Sequence, residues 1–190
     1  IISTIDMPFQ NTYVTIHPFL TDKDNKNLRD AIERIAGMKR ANALKAYLMN
    51  FFDERLFYKN PSFKDKEDAI HTLSNDVVAL NYAEDTLFED VMAREKMSST
   101  AFHDVAVPHS LSKNAKTGFI SIAISEEGMK WDQHIVHIIA LIGVNEDSRK
   151  IFSEVFDEII DILSEPVHVK ELMQAKDFKE FIERIKLLMS

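Results

Sequence analysis

Apolar positions along the chain change period several times, and each change marks an element. Ile1-Ile2-Ser3-Thr4-Ile5 and Tyr13-Val14-Thr15-Ile16 are rich in β-branched and aromatic residues and flank a connection containing Pro8, so they read as two strands. A helix follows, capped by Thr21 or Asp22, with Leu28, Ala31, Ile32 and Ile35 at helical spacing and Gly37 as its expected stop. From Lys39 to about Glu54 the positions Ala43, Leu44, Tyr47, Leu48, Phe51 and Phe52 predict a connector helix. Leu56-Phe57-Tyr58 reads as a short strand and Asn60-Pro61-Ser62 as a turn.

Asp65 or Lys66 opens an amphipathic helix through Ala69, Ile70, Leu73, Val77, Val78 and Leu80, and Leu87, Phe88, Val91 and Met92 mark another. Strand patterns recur at Val105-Ala106-Val107, at 118–124 and at 135–142, the last almost wholly apolar, as befits a central strand covered on both faces. Two helices close the chain, through Ile151 to Ile162 and through Phe178 to Leu188. A break at Ser164-Glu165-Pro166 precedes a short extra helix at 167–175. Helices bracket the strands in order, which predicts an α/β fold: a three-layer α/β/α sandwich with a mixed central sheet, preceded by a small ββα segment. The expected organisation is 1–36, a connector at 37–54, and a main domain at 55–190.

Composition narrows the function classes. With 45% hydrophobic residues in 190, the chain can bury a core, and no apolar run reaches the ~18 residues of a membrane span. A net charge of −8 disfavours direct nucleic-acid binding. Cysteine is absent, so neither a disulfide nor a thiolate can operate, which is compatible with a cytoplasmic location. The start at Ile1, without Met or a basic leader, suggests a segment of a longer protein.

The candidate chemistry lies in Asp104-Val105-Ala106-Val107-Pro108-His109-Ser110. Pro108 fixes its own φ and drives Val107 to extended geometry, so His109 is presented stiffly, and imidazole is a competent nucleophile toward phosphorus when one nitrogen is unprotonated. On these residues alone an ordinary structural or surface histidine is the favoured reading. His103, His109, His134 and His137 invite a zinc site, but their spacing matches no metal motif, and no metal or cofactor is expected.

Arg94-Glu95-Lys96-Met97-Ser98-Ser99-Thr100, followed by the Val-Pro-His segment, the Gly118 strand and the apolar strand to Gly143, closely resembles the fructose/mannitol-type enzyme IIA family of the bacterial phosphoenolpyruvate-dependent phosphotransferase system over residues 55–190. The resemblance implies that His109 accepts a phosphoryl group from the phosphocarrier HPr and passes it to an enzyme IIB cysteine. It assigns Arg94 to the phosphoryl oxygens, a task that suits a guanidinium. Ser98, Ser99, Thr100 and Ser110 are candidate hydroxyl donors, each equally able to cap a helix or a turn, and His137 is a possible supporting residue or a core histidine.

Two departures stand out. The stretch from Thr100 to His109 is one residue shorter than the family form, with His103-Asp104 where Gly and Asn are common, and Asn145-Glu146-Asp147-Ser148-Arg149 occupies the region of a second histidine frequent in transport enzymes. Residues 1–36 more loosely resemble the tail of an enzyme IIB-like domain. That order resembles the C-terminus of BglG-like and LicR-like transcription antiterminators and activators. It implies phosphorylation-dependent regulation through other domains of a parent regulator, with a sugar-transport IIA as the alternative.

Overall fold

The computed structural model of the chain describes residues 2–3, 14–110, 113–145 and 149–189. The chain divides into two compact units, Ile1–Leu44 and Lys45–Ser190. In the first, β1 (Ile2–Ser3) pairs in parallel with β2 (Val14–Thr15), and α1 (Asp22–Met49) begins shortly after. The remaining residues of the two expected strands at Ile1, Thr4, Ile5 and Tyr13 lie outside the described residues. Asp24 anchors the entry to α1: its carboxylate accepts from Thr21 N–H at 2.9 Å and Thr21 Oγ at 2.7 Å, while Thr21 Oγ accepts from Asp24 N–H at 3.2 Å. These bonds hold the Asp24 carboxyl well below the usual carboxylate range.

Gly37 does not stop the helix. A lone glycine costs about 1 kcal/mol in a helix interior, and good helix formers on both sides carry the ladder through it. The expected connector helix is therefore the second half of α1, and it ends earlier than Glu54. At Phe52 the backbone is already in β3 (Phe52–Lys59), an eight-residue strand where only Leu56 to Tyr58 was expected.

The second unit is built on a five-stranded mixed sheet. Its strands are β3, β4 (Ala101–Phe102), β5 (Val105–Ala106), β6 (Phe119–Trp131) and β7 (His134–Gly143), in the order β3-β6-β7-β5-β4. β3 runs parallel to β6, β6 antiparallel to β7, β7 parallel to β5, and β5 antiparallel to β4. The near-continuous apolar run of β7 fits its central place. β4 carries too few residues to register in the apolar pattern, and it exists because a two-residue turn, His103-Asp104, folds it onto β5. His103 adopts φ 47 there, a left-handed conformation tolerated by polar residues in tight turns.

Alternation along the strands divides the core in two. On one face Leu56, Phe119, Ala123, Ile139 and Leu141 pack with Ile70, Leu73 and Val77 of α2 (Lys66–Ala79) and Leu87 and Val91 of α3 (Leu87–Met97). On the other, Phe52 and Phe57 meet Phe178 and Phe181 of α6 (Phe178–Leu188) with ring centroids 5.4–5.9 Å apart. α4 (Arg149–Ser164) and α5 (Pro166–Met173) precede it, separated by Glu165 with Pro166 at the first helical position. Helices thus cover both faces of the sheet, and the expected α/β/α sandwich is the observed fold. Among the described residues no helix is long and apolar enough to cross a membrane.

One charge sits deep in this core. Glu95 occupies the apolar stripe of α3 behind Leu87, Val91 and Met92 and is 3% exposed. Its carboxylate accepts from Trp131 Nε1–H at 2.9 Å, Thr100 Oγ at 2.6 Å, Thr100 N–H at 3.1 Å and Ser99 Oγ at 3.2 Å, with Lys66 Nζ at 3.6 Å. A buried carboxylate is tolerated only when donors replace its lost hydration, and here they come from three places: the start of α2, the entry to β4 and the end of β6. Glu95→Gln places an amide N–H against these donors. The variant is expected to lose roughly 2–4 kcal/mol of stability, read by urea unfolding with Trp131 fluorescence. An unchanged midpoint would remove Glu95 from its structural role.

Candidate functional site

His109 lies where β5 runs out at the edge of the sheet's central pair. Val107 N–H donates to Thr100 O at 3.2 Å, extending the β4–β5 ladder by one pair, and Ile142 N–H donates to Pro108 O at 3.1 Å. His109 itself bridges in parallel to Ile142. Val107 and Pro108 are buried, so the backbone is held on both sides up to the residue whose ring emerges half-buried. Pro108 adds a fixed φ at the last buried position.

The ring is oriented by its own backbone. His109 Nδ1 lies 2.9 Å from Val107 O. A carbonyl only accepts, so this bond assigns the proton to Nδ1 and leaves the lone pair on Nε2. An imidazole with one nitrogen tied to a carbonyl and the other without a hydrogen-bond partner among the described residues is set up as a nucleophile or as a ligand.

Arg94 stands in the last turn of α3, where its guanidinium donates through Nη1 to Ser98 O at 2.9 Å. That bond satisfies a carbonyl at the helix end and complements the helix dipole, and it leaves the other guanidinium N–H groups for an anion. Ser98 is extended and lies two residues before Thr100, whose O accepts from Val107 N–H, and Val107 lies two residues before His109. Arg94 and His109 therefore belong to the same end of the β4–β5 hairpin.

The hydroxyl candidates divide. Thr100 is buried and its single hydroxyl proton goes to Glu95, so it is a structural residue here and not a donor to a phosphoryl group. Ser99 Oγ likewise donates to Glu95 and accepts from Ala101 N–H at 3.4 Å. Ser98 contributes its carbonyl to Arg94. Ser110, half-buried beside His109, is the remaining neighbour of the ring in sequence.

His137 is not brought to His109. Its N–H donates to Asp104 O at 2.6 Å and its Nδ1 lies 2.9 Å from Ser125 O, which places it near the start of β7, while His109 pairs with Ile142. At ~3.3 Å per residue, five residues of strand separate the two by roughly 16 Å. The apolar run of β7 concealed this, because it shows that a histidine lies in the strand and not at which end. Among the described residues no group of three or more His, Cys, Asp or Glu side chains is arranged to hold a metal ion. Glu146 to Ser148 lie outside the described residues, and the neighbouring Asn145 donates to Lys116 O at 3.4 Å.

Glu95 is the residue whose importance the amino-acid pattern hid. A signal was present: an acidic residue spaced four after Val91, on the apolar face of a helix, next to Ser99-Thr100 and with one tryptophan in the chain able to donate to it.

The comparisons agree with this fold. No curated protein sequence matches the chain. Among solved structures, similar folds include enzyme IIA for mannitol from Escherichia coli, at 18% identity and TM-score 0.59 over 70% of this chain and 97% of that one. The complex of mannitol enzyme IIA with phosphorylated enzyme IIB, also from Escherichia coli, matches at 17% identity and TM-score 0.61 over 71% and 98%. The nitrogen regulatory protein IIA-Ntr from Neisseria meningitidis matches at 17% and 0.59 over 74% and 97%. Residues 50–187 match the family model described as phosphoenolpyruvate-dependent sugar phosphotransferase system, EIIA 2, and the chain belongs to that family.

Proposed function

We propose that His109 is the phosphoryl acceptor of this EIIA type-2 domain, loaded by the phosphohistidine of HPr, and that the loaded domain regulates a sugar-gene antiterminator or activator. The bond from Nδ1–H to Val107 O carries the assignment, since it fixes which nitrogen attacks. The Nε2 lone pair forms a bond to phosphorus as the P–N bond of the donor histidine breaks, and the bonding pair stays on the departing imidazole. Arg94 neutralises the equatorial oxygens through the N–H groups not engaged by Ser98 O. Ser110 stands beside the ring as a further donor. No cofactor enters this transfer.

Two sequence features support the regulatory role: the absence of a histidine from Asn145 to Arg149, and the IIB-like segment 1–36 ahead of the domain. In this role the partners are HPr and other domains of the parent regulator, and the place of action is the cytoplasm. The second reading is a transport enzyme that passes the phosphoryl group to a IIB cysteine. It is favoured by the similarity to a IIA that was solved in complex with phosphorylated IIB.

Incubation with phosphoenolpyruvate, enzyme I and HPr is expected to add one acid-labile, alkali-stable phosphate, and His109→Ala is expected to abolish it. Equal labelling of the variant would overturn the assignment of His109. Mixing the loaded chain with unphosphorylated HPr or with a panel of fructose- and mannitol-type IIB domains separates the two roles. The regulator returns phosphate to HPr and discharges poorly to every IIB, whereas rapid discharge to one IIB, with sugar phosphorylation once its permease is added, makes the chain a transport enzyme.

A further inference from the structure

The segment that follows His109 is tied back to the helix that carries Arg94. Asn114 is 6% exposed, and a buried amide requires partners for its polar ends. Its Nδ2–H donates to Asp90 Oδ2 at 2.9 Å, and its backbone oxygen accepts from Glu84 N–H at 2.8 Å. The next residues extend the anchor. Ala115 bridges antiparallel to Ala83, and Lys116 and Thr117 N–H donate to Tyr82 O at 2.8 and 3.2 Å.

Asp90 is itself held. Its N–H donates to Thr86 O at 3.1 Å, and its Oδ2 also accepts from Thr86 Oγ at 3.2 Å. Arg94 follows Asp90 by four residues, one turn along the same face of α3, and both side chains are half-buried. Asn114 follows His109 by five residues, a tether of at most ~17 Å. The part-buried bond between Asp90 and Asn114 joins a carboxylate acceptor to a neutral donor, which makes it stronger than an ordinary amide bond.

We infer that Asp90 and Asn114 form a positioning pair that holds the His109 segment against α3, so that the imidazole and the Arg94 guanidinium meet one phosphoryl group. This rests on His109 as acceptor and Arg94 as its partner. Neither Asp90 nor Asn114 touches the reacting atoms; they set the distance between groups that do. Phosphoryl transfer depends on alignment, and a displacement of about 1 Å lowers such rates by as much as 100-fold.

The test uses the full chain, labelled phosphoenolpyruvate, enzyme I and HPr, with initial rates measured against phospho-HPr concentration. Asn114→Ala and Asp90→Ala are expected to lower kcat about 10–100-fold with KM for phospho-HPr nearly unchanged, while urea unfolding shows each variant folded under assay conditions. Asp90→Asn keeps an acceptor oxygen and is expected to restore most of the rate. The double variant is expected to be no slower than the slower single, because both changes remove one bond. Wild-type kcat in either single alanine variant, losses that multiply, a rise in KM alone, or Asp90→Asn as slow as Asp90→Ala would overturn the pair. If the wild-type chain takes no label on His109, the acceptor assignment itself fails and the pair falls with it; normal loading of wild type and variants alike removes the pair only.

Discussion

The buried Glu95 carboxylate is the constraint on which the site's geometry depends. It fixes Thr100 through both backbone N–H and hydroxyl, and Thr100 O accepts the N–H of Val107. Val107 O in turn accepts from His109 Nδ1. A chain of hydrogen bonds thus runs from the carboxylate sealed under Trp131 to His109 Nδ1. Glu95, Thr100 and Val107 are buried, so the half-buried imidazole takes its orientation from the core.

The hairpin that carries this chain of bonds is itself fastened. The two-residue turn at His103-Asp104 closes the hairpin with one positive φ, and the β4–β5 register is pinned beyond it by Thr100 and Val107. Asp104 O receives His137 N–H and Ile138 N–H, so the turn is fastened to β7 as well.

Much of the fold was legible in the apolar pattern, because long elements repeat their period often enough to be read: α2, α3, β7, α4 and α6 fall where their residues predict, whereas β6 runs on to Trp131, past its expected end at Ile124. The failures have local causes. Gly37 carries the usual signature of a helix end, yet neighbouring helix formers outweigh it, and β4 is two residues long, too short for any period. At the site, the motif singles out His109 and Arg94 as candidates, and the structure adds their hydrogen bonds to Val107 O and Ser98 O. The amino-acid pattern left the hydroxyls of Ser99 and Thr100 open between phosphate contact and capping, because a hydroxyl's partner depends on tertiary placement; the partner here is Glu95. It likewise left His137 open between a supporting and a core residue, because register, not sequence spacing, decides which residues of neighbouring strands meet.

The central claim is that the core selects the reacting nitrogen of His109. Nitrogen-15 NMR of the imidazoles in the unphosphorylated chain, followed by the same experiment after loading from phospho-HPr, tests it most directly. The account predicts a neutral His109 protonated at Nδ1 before loading, and phosphorus coupled to Nε2 afterwards with the Nδ1 proton retained. A neutral ring protonated at Nε2, or phosphorus bonded to Nδ1 or to another histidine, would contradict it.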